Sequence, residues 1–229
     1  MTVEALLFDL DDTLVDTFGA LIVPLERGAA SKMWAEDPSL PATEVITAIL
    51  LDLHRSHPDN IEVELRRRIP GIDETVLAIR REYLRQVPVE NLCLLPQVRE
   101  LLMCLRSKYH TCVLTAGETG LQEAKILRLK LREVVDDIMI ADTGAEQEKE
   151  ATIAAFLLRY GHTSGSTLVI GNRLDKEIRA GNRLGLPTVW VRRGEGEDLK
   201  VGEATGRPDY MIADIIEISR VLDDLSGGR

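Results

Sequence analysis

Apolar positions along this chain follow two rhythms. Near the start, Ala5-Leu6-Leu7-Phe8 is an unbroken apolar run that ends in Asp9-Leu10-Asp11-Asp12-Thr13-Leu14. A run that is apolar at every position is the pattern of a strand covered on both faces in a parallel sheet. From about residue 17 to 95 the spacing becomes helical, with Leu21, Ile22 and Leu25, then Val45, Ile46, Ile49, Leu50 and Leu53. Pro38, Pro41, Pro58, Pro70 and Pro88 cut this stretch into helices of a few turns each. A helix-only block after one strand reads as an insertion into an α/β domain.

From Pro96 onward the two rhythms alternate. Val98, Leu101, Leu102 and Leu105 form a helical face, and Thr111-Cys112-Val113-Leu114 a strand that ends at Thr115-Ala116-Gly117. A helix carrying Leu121, Ala124, Leu127 and Leu131 follows, then a strand over Asp137-Ile138-Met139-Ile140-Ala141. A helix from Glu150 to Tyr160 places Ile153, Phe156 and Leu157 inward. The strand Ser166-Thr167-Leu168-Val169-Ile170 stops at Gly171-Asn172, and a helix through Arg183 stops at Gly185, a residue suited to a helix C-terminus. The strand Pro187 to Val191, a charged Gly-rich loop from Arg192 to Arg207, a short strand at Tyr210-Met211-Ile212 and a helix to Leu225 complete the pattern. Five or six strands alternating with helices predict an α/β, doubly wound parallel sheet.

Composition narrows the partners. Of 229 residues, 45% are apolar and only 4% aromatic, so the core is aliphatic. The net charge of -10 argues against nucleic acid and anionic membranes. No stretch is long and apolar enough to span a bilayer, and the opening residues lack the basic start and apolar run of a signal peptide. Cys93, Cys104 and Cys112 are odd in number and show no metal spacing, which reads as reduced thiols and a cytoplasmic location. The expected assembly is a monomer or a homodimer.

Candidate chemistry gathers at strand ends, where open α/β sheets bind ligands. Three carboxylates at the end of a buried strand are unfavourable unless something positive joins them. If the strand carries Asp9 at its end, alternation points Asp9 and Asp11 the same way. One can then act as nucleophile while the other, protonated, supplies a proton to a leaving alcohol. The ordinary alternative is a loop of solvated acids capping the next helix. At Thr115, Ala116 and Gly117, a hydroxyl and exposed backbone N–H groups can bind phosphoryl oxygens, or simply form a cap or turn. Lys149 can neutralise a nucleophile and a transferring phosphoryl group, or lie solvated at a helix start. Asn172, Asp175 and Glu177 follow a strand-terminal Gly and offer oxygens to a hard cation such as Mg²⁺; the alternative is a strand-to-helix turn. Arg66, Arg67, Arg68, Arg80 and Arg81 in the helical block could meet a second anionic group of a substrate, or could form a solvated face.

The order of these features resembles the four motifs of the haloacid dehalogenase superfamily, over nearly the whole chain. Gln122-Glu123-Ala124-Lys125, Asp136-Asp137-Ile138 and the run Asp175 to Gly181 resemble its supporting segments. The resemblance implies a Rossmann-like core from residues 1–16 and 96–229, with a mobile helical cap from 17–95. It implies that Asp9 attacks phosphorus and that Asp11 protonates the leaving group, then activates water. Thr115 would hold a phosphoryl oxygen and Lys149 would steady Asp9. Mg²⁺ would be held by Asp9, the Asp11 carbonyl and the fourth motif. The expected activity is Mg²⁺-dependent hydrolysis of a small phosphorylated metabolite. Two departures stand out: Asn172 replaces the usual Asp, and Thr115-Ala116-Gly117 replaces Thr-Asn-Gly. The first keeps open a catalytically weak member that binds a phosphorylated ligand or partner. A phosphomutase would use the same residues.

Overall fold

The computed structural model describes residues 2–145, 148–202 and 204–227. Strand β1 (Ala5–Phe8) is fully buried and ends at the first acid. A tight turn follows, in which the Leu10 carbonyl accepts from the N–H groups of Thr13, Leu14 and Val15. The chain then leaves for a separate compact unit, Thr17–Asn91. That unit holds a single π-helical turn (Phe18–Ile22), α1 (Val23–Glu36), α2 (Thr43–Ser56), α3 (Ile61–Arg68) and α4 (Glu74–Leu84). The prolines singled out above fall between these helices or at their ends. The side chain of Asp73 caps α4 by accepting from the Val76 N–H at 2.9 Å. Met33, Ile46, Leu50, Leu53, Leu65 and Leu77 pack into one apolar cluster of the unit.

A charge cluster lies inside this unit. Glu26 is wholly buried and takes two hydrogen bonds from Arg80, one of 2.9 Å, and one of 2.6 Å from His54. Burial opposes its ionisation, but the His54 and Arg80 contacts outweigh it and hold Glu26 below the usual carboxylate range. The remaining arginines pair as well: Arg66 with Glu74, Arg67 with Glu64, Arg68 with Asp52, and Arg81 with Glu62 and Glu74. The arginine runs of the sequence therefore form an ion-paired face, and Arg80 a buried pair.

The other unit comprises Met1–Asp16 and Leu92–Arg229. Residues 92–95, which the proline-broken pattern grouped with the helical block, return to this unit. Leu95 donates to the Leu14 carbonyl at 3.0 Å and Leu94 bridges to Val15. The chain continues as α5 (Val98–Arg106), β2 (His110–Gly117), α6 (Thr119–Leu129), β3 (Asp137–Asp142), α7 (Lys149–Tyr160) and β4 (Thr167–Gly171). After a π turn (Leu174–Ile178) come α8 (Arg179–Arg183), β5 (Thr188–Val191), β6 (Tyr210–Ile212) and α9 (Ile218–Gly227). Six parallel strands stand in the order β3-β2-β1-β4-β5-β6. This is the α/β, Rossmann-like doubly wound arrangement, with β1 flanked by β2 and β4. Ala5 and Leu7 share one face with Cys112, Leu114 and Val169, packed on Ile153 and Phe156 of α7. Leu6 and Phe8 point to the opposite face and are equally buried.

Helix α8 ends as its sequence suggests. Gly185 follows α8 with φ of +69°, the left-handed conformation a helix terminus favours. Helix α6 departs from the apolar pattern. Its buried positions are Gln122, Lys125, Ile126 and Leu129, while Leu127 is 79% exposed. Two polar side chains face inward because they have partners there, described next.

Candidate active site

Asp9 follows directly on β1, its N–H bonded to the Ile170 carbonyl of β4 at 2.8 Å. The strand therefore delivers a carboxylate to the carboxyl end of the sheet, only 5% exposed. Lys149, the first residue of α7, donates its ammonium group to Asp9 Oδ1 and to Glu177 Oε1. The Thr13 hydroxyl donates to Asp9 Oδ2 at 3.3 Å. Burial is the main force on Asp9; Glu177 and Asp11 add to it, and Lys149 only partly offsets them. The carboxyl is pushed up to about 7. Burial alone would lower Lys149, but Asp9 and Glu177 outweigh it and hold the ammonium above its ordinary range.

Asp11 lies past the end of the strand. β1 ends at Phe8 and the chain turns, so the two-residue period does not extend to Asp11. Both Asp11 oxygens accept from Lys125 Nζ of α6 at 2.8 Å. Asp9 and Asp11 still line one cavity of about 200 Å³, together with Ala116, Lys149, Asn172 and Glu177.

The other predicted positions divide. Thr115 is buried, and its hydroxyl donates to Gln122 Oε1 at 3.0 Å; Gln122 returns a bond to the Ala116 carbonyl at 3.2 Å. Ala116, not Thr115, lines the cavity, and Gly117 ends β2. Glu118, not Thr115, caps α6. Asn172 lies at the end of β4, its amide N–H reaching the Arg193 carbonyl at 3.4 Å and its own carbonyl accepting from the Trp190 indole at 2.9 Å. Glu177 turns into the cavity, its Oε2 accepting from the Arg173 N–H at 3.0 Å. Asp175 is gripped by the Arg173 guanidinium at 2.8 and 2.6 Å. Burial opposes its ionisation, yet Arg173 holds it below the usual carboxylate range. Of the two acids after Asn172, Glu177 thus joins Asp9 while Asp175 anchors Arg173.

Gly171 explains how Glu177 fits. A Cβ on Gly171 would lie 2.6 Å from Glu177 Cγ, so only glycine lets the acid fold back over the strand end. Gly194 plays a similar part for Asp12. Its φ is +63°, and a Cβ there would lie 2.3 Å from Asp12 Cγ. Asp12 accepts from the Glu195 N–H at 3.0 Å, tying the first acid turn to the loop after β5.

Lys125, Gln122, Arg173 and Asp12 carry contacts that motif reading does not assign. For Lys125 and Gln122 the available signal is their spacing, three residues apart on α6, the same side of a helix.

The donor set suits a hard divalent cation. Asp9, Asn172 and Glu177 offer oxygens and no sulfur or nitrogen, and Mg²⁺ takes one or two carboxylates and keeps several waters. Among the described residues no three His, Cys, Asp or Glu side chains form a ready metal cage.

Several known proteins resemble this chain. Residues 149–218 match the HAD-hydrolase-like family model. The chain is 26% identical over 234 residues to a glyceraldehyde 3-phosphate phosphatase of Methanopyrus kandleri, covering 98% of this chain and 99% of the relative. It is 24% identical over 244 residues to an N-acylneuraminate-9-phosphatase of Rattus norvegicus, covering 97% of this chain and 95% of that one. A structure of YfnB from Bacillus subtilis, bound to magnesium, has the same fold: TM-score 0.67, 20% identity, 97% of this chain and 100% of that one. Together the family-model match, the relatives and the shared fold support membership of the haloacid dehalogenase superfamily. The relatives named as phosphatases support a phosphatase-type hydrolase.

Proposed function

We propose that this protein is a Mg²⁺-dependent phosphomonoester hydrolase that acts on a small phosphorylated metabolite through an aspartyl-phosphate intermediate. The observation that carries the reading is Lys149 bonded to both Asp9 and Glu177, in one cavity with Asp11 and Asn172. Asp9, Asn172 and Glu177, with the Asp11 carbonyl, would hold Mg²⁺, whose charge offsets that of the phosphoryl oxygens. Asp9 Oδ attacks phosphorus, the P–O bond to the substrate breaks, and Asp11 gives its proton to the leaving oxygen. Asp11 then takes a proton from water, which attacks the acyl phosphate and frees inorganic phosphate and Asp9. For both steps one Asp11 oxygen has to leave Lys125. Lys149 stabilises the charge on the transferring group. Thr115, through Gln122, orders the Ala116 backbone that borders the phosphoryl position. The helical unit is the cap of this reading and the two-segment unit its catalytic core. Relatives named for glyceraldehyde 3-phosphate and N-acylneuraminate-9-phosphate point to a small sugar-type phosphate as substrate. Free thiols at Cys93, Cys104 and Cys112 fit a reducing cytoplasm.

Incubation with p-nitrophenyl phosphate, with Mg²⁺ or with EDTA, tests the reading. Phosphate release that requires Mg²⁺ supports it. Phosphate binding without turnover would favour a ligand-binding member, to which Asn172 lends weight. With a sugar phosphate as substrate instead, an isomerised sugar phosphate in place of free phosphate would make it a mutase.

A further inference from the structure

A second cavity, of about 190 Å³, adjoins the catalytic one in the same unit, and Ala116, Lys149 and Lys176 line both. Each is smaller than a typical pocket for a drug-sized ligand, so each suits one small group. Arg179 and Lys176, three residues apart where the π turn passes into α8, both face the second cavity. Residues at that spacing lie side by side, and like charges there repel. Neither cation forms a close ion pair among the described residues: Lys176 acts on Asp175 only through its charge, and the Arg179 guanidinium reaches the Ala204 carbonyl at 3.3 Å. The acids around them are mostly engaged: Asp175 by Arg173, and Glu150 by Arg183 at 3.1 Å. Glu148 remains, so two open cations face one open acid, an excess of one positive charge.

We infer that this second cavity is a subsite for a carboxylate on the substrate, and that the preferred substrates are small phosphorylated carboxylic acids. The inference rests on the phosphatase reading above. The phosphoryl group would sit by Asp9 and Lys149, and the acid arm would pass Ala116 to reach Lys176 and Arg179. A planar guanidinium beside an ammonium group matches the two oxygens of a carboxylate. The single excess charge matches a monoanion better than a second phosphate.

The test compares 3-phosphoglycerate with glycerol 3-phosphate, which differ in a carboxylate against a hydroxymethyl group, in the intact enzyme with Mg²⁺. Wild type is expected to favour 3-phosphoglycerate at least tenfold in kcat/KM. Lys176→Gln/Arg179→Gln is expected to cut that ratio at least tenfold, through KM for the acid. An unchanged ratio, or equal losses on both substrates, would overturn the subsite; equal losses would assign the cations to the phosphoryl group. If wild type hydrolyses neither of these nor p-nitrophenyl phosphate, the phosphatase reading fails and the subsite with it. Turnover of all three without a preference for the acid overturns the subsite alone.

Discussion

Lys149 serves two carboxylates with one ammonium group, and Asp9 bears the consequence. Its carboxyl is about 7 in the folded protein against an ordinary 3.8. The folded state then binds the proton more tightly than the unfolded one, so stability falls as pH rises from about 4 through about 7. Ionised Asp9 therefore destabilises the metal-free protein above pH 7. Asp9→Asn should therefore abolish turnover yet raise the melting temperature in EDTA at pH 8 by several degrees, with the gain gone near pH 4. Thermal unfolding across that range measures it; a variant no more stable than wild type at pH 8 would remove the argument. A second residue-scale effect follows from Gly171. Its Cβ would lie 2.6 Å from Glu177 Cγ, so Gly171→Ala pushes Glu177 off Lys149. A loss of roughly 10- to 100-fold in kcat with the fold retained is expected, since displacement of a positioning group by about 1 Å costs that much. Steady-state kinetics beside a circular dichroism spectrum decides it.

At the scale of elements, the helical unit depends on a buried ion pair as well as its apolar cluster. Arg80 and Glu26 are almost wholly inaccessible, at 5% and 0% side-chain exposure. Arg80→Met strands a buried carboxylate and should cost about 3–5 kcal/mol in urea unfolding, while Glu26→Leu/Arg80→Met should recover most of it. Because Glu26 is held below its usual 4.5, its stabilising share is present above that value and lost as pH falls. The wild-type unit should accordingly be acid-sensitive and the double variant less so. These elements differ in how far the chain announces them. Strands such as Leu6-Leu7-Phe8 and Leu168-Val169-Ile170 are covered on both faces, so their apolar runs are unbroken and legible. Helix α6 is less so. Its inward face holds Gln122 and Lys125, whose partners Thr115 and Asp11 come from other elements. A hydrophobic pattern sees only apolar burial, and so it favours Leu127, which the structure exposes. The same limit applies after β4. Asp175 and Glu177 offer the same chemistry two residues apart, and only the π turn and the reach of Arg173 show which one meets Lys149.

At the scale of the whole molecule, 38 acids against 28 bases give a net charge of -10, in a chain whose proposed substrate is an anion. The cavity at Asp9 shares that excess: Asp9, Asp11, Asp12, Glu177 and Glu195 line it against Lys149, Arg173 and Lys176. A divalent cation would bring the two sides close to balance, and on the proposed function Asn172 would tune how strongly the protein calls for one. An Asp at 172 would add another carboxylate beside Asp9 and, at 3.4 Å, turn an amide donor to the Arg193 carbonyl into a second acceptor. In EDTA the charge would raise Asp9 further, and both effects would lower the melting temperature. With Mg²⁺ the same charge becomes a ligand, so the concentration for half-maximal activity should fall roughly tenfold, as affinity follows ligand charge. A ligand that binds only the folded state stabilises it in proportion to ln(1 + [L]/Kd), so the Mg²⁺-induced rise in melting temperature should exceed that of wild type. Melting in EDTA and in Mg²⁺, beside a Mg²⁺ titration of activity, measures both halves. An Asn172→Asp variant that needs as much Mg²⁺ as wild type would place residue 172 outside the metal's reach, and leave Asp9 and Glu177 to hold the cation without it.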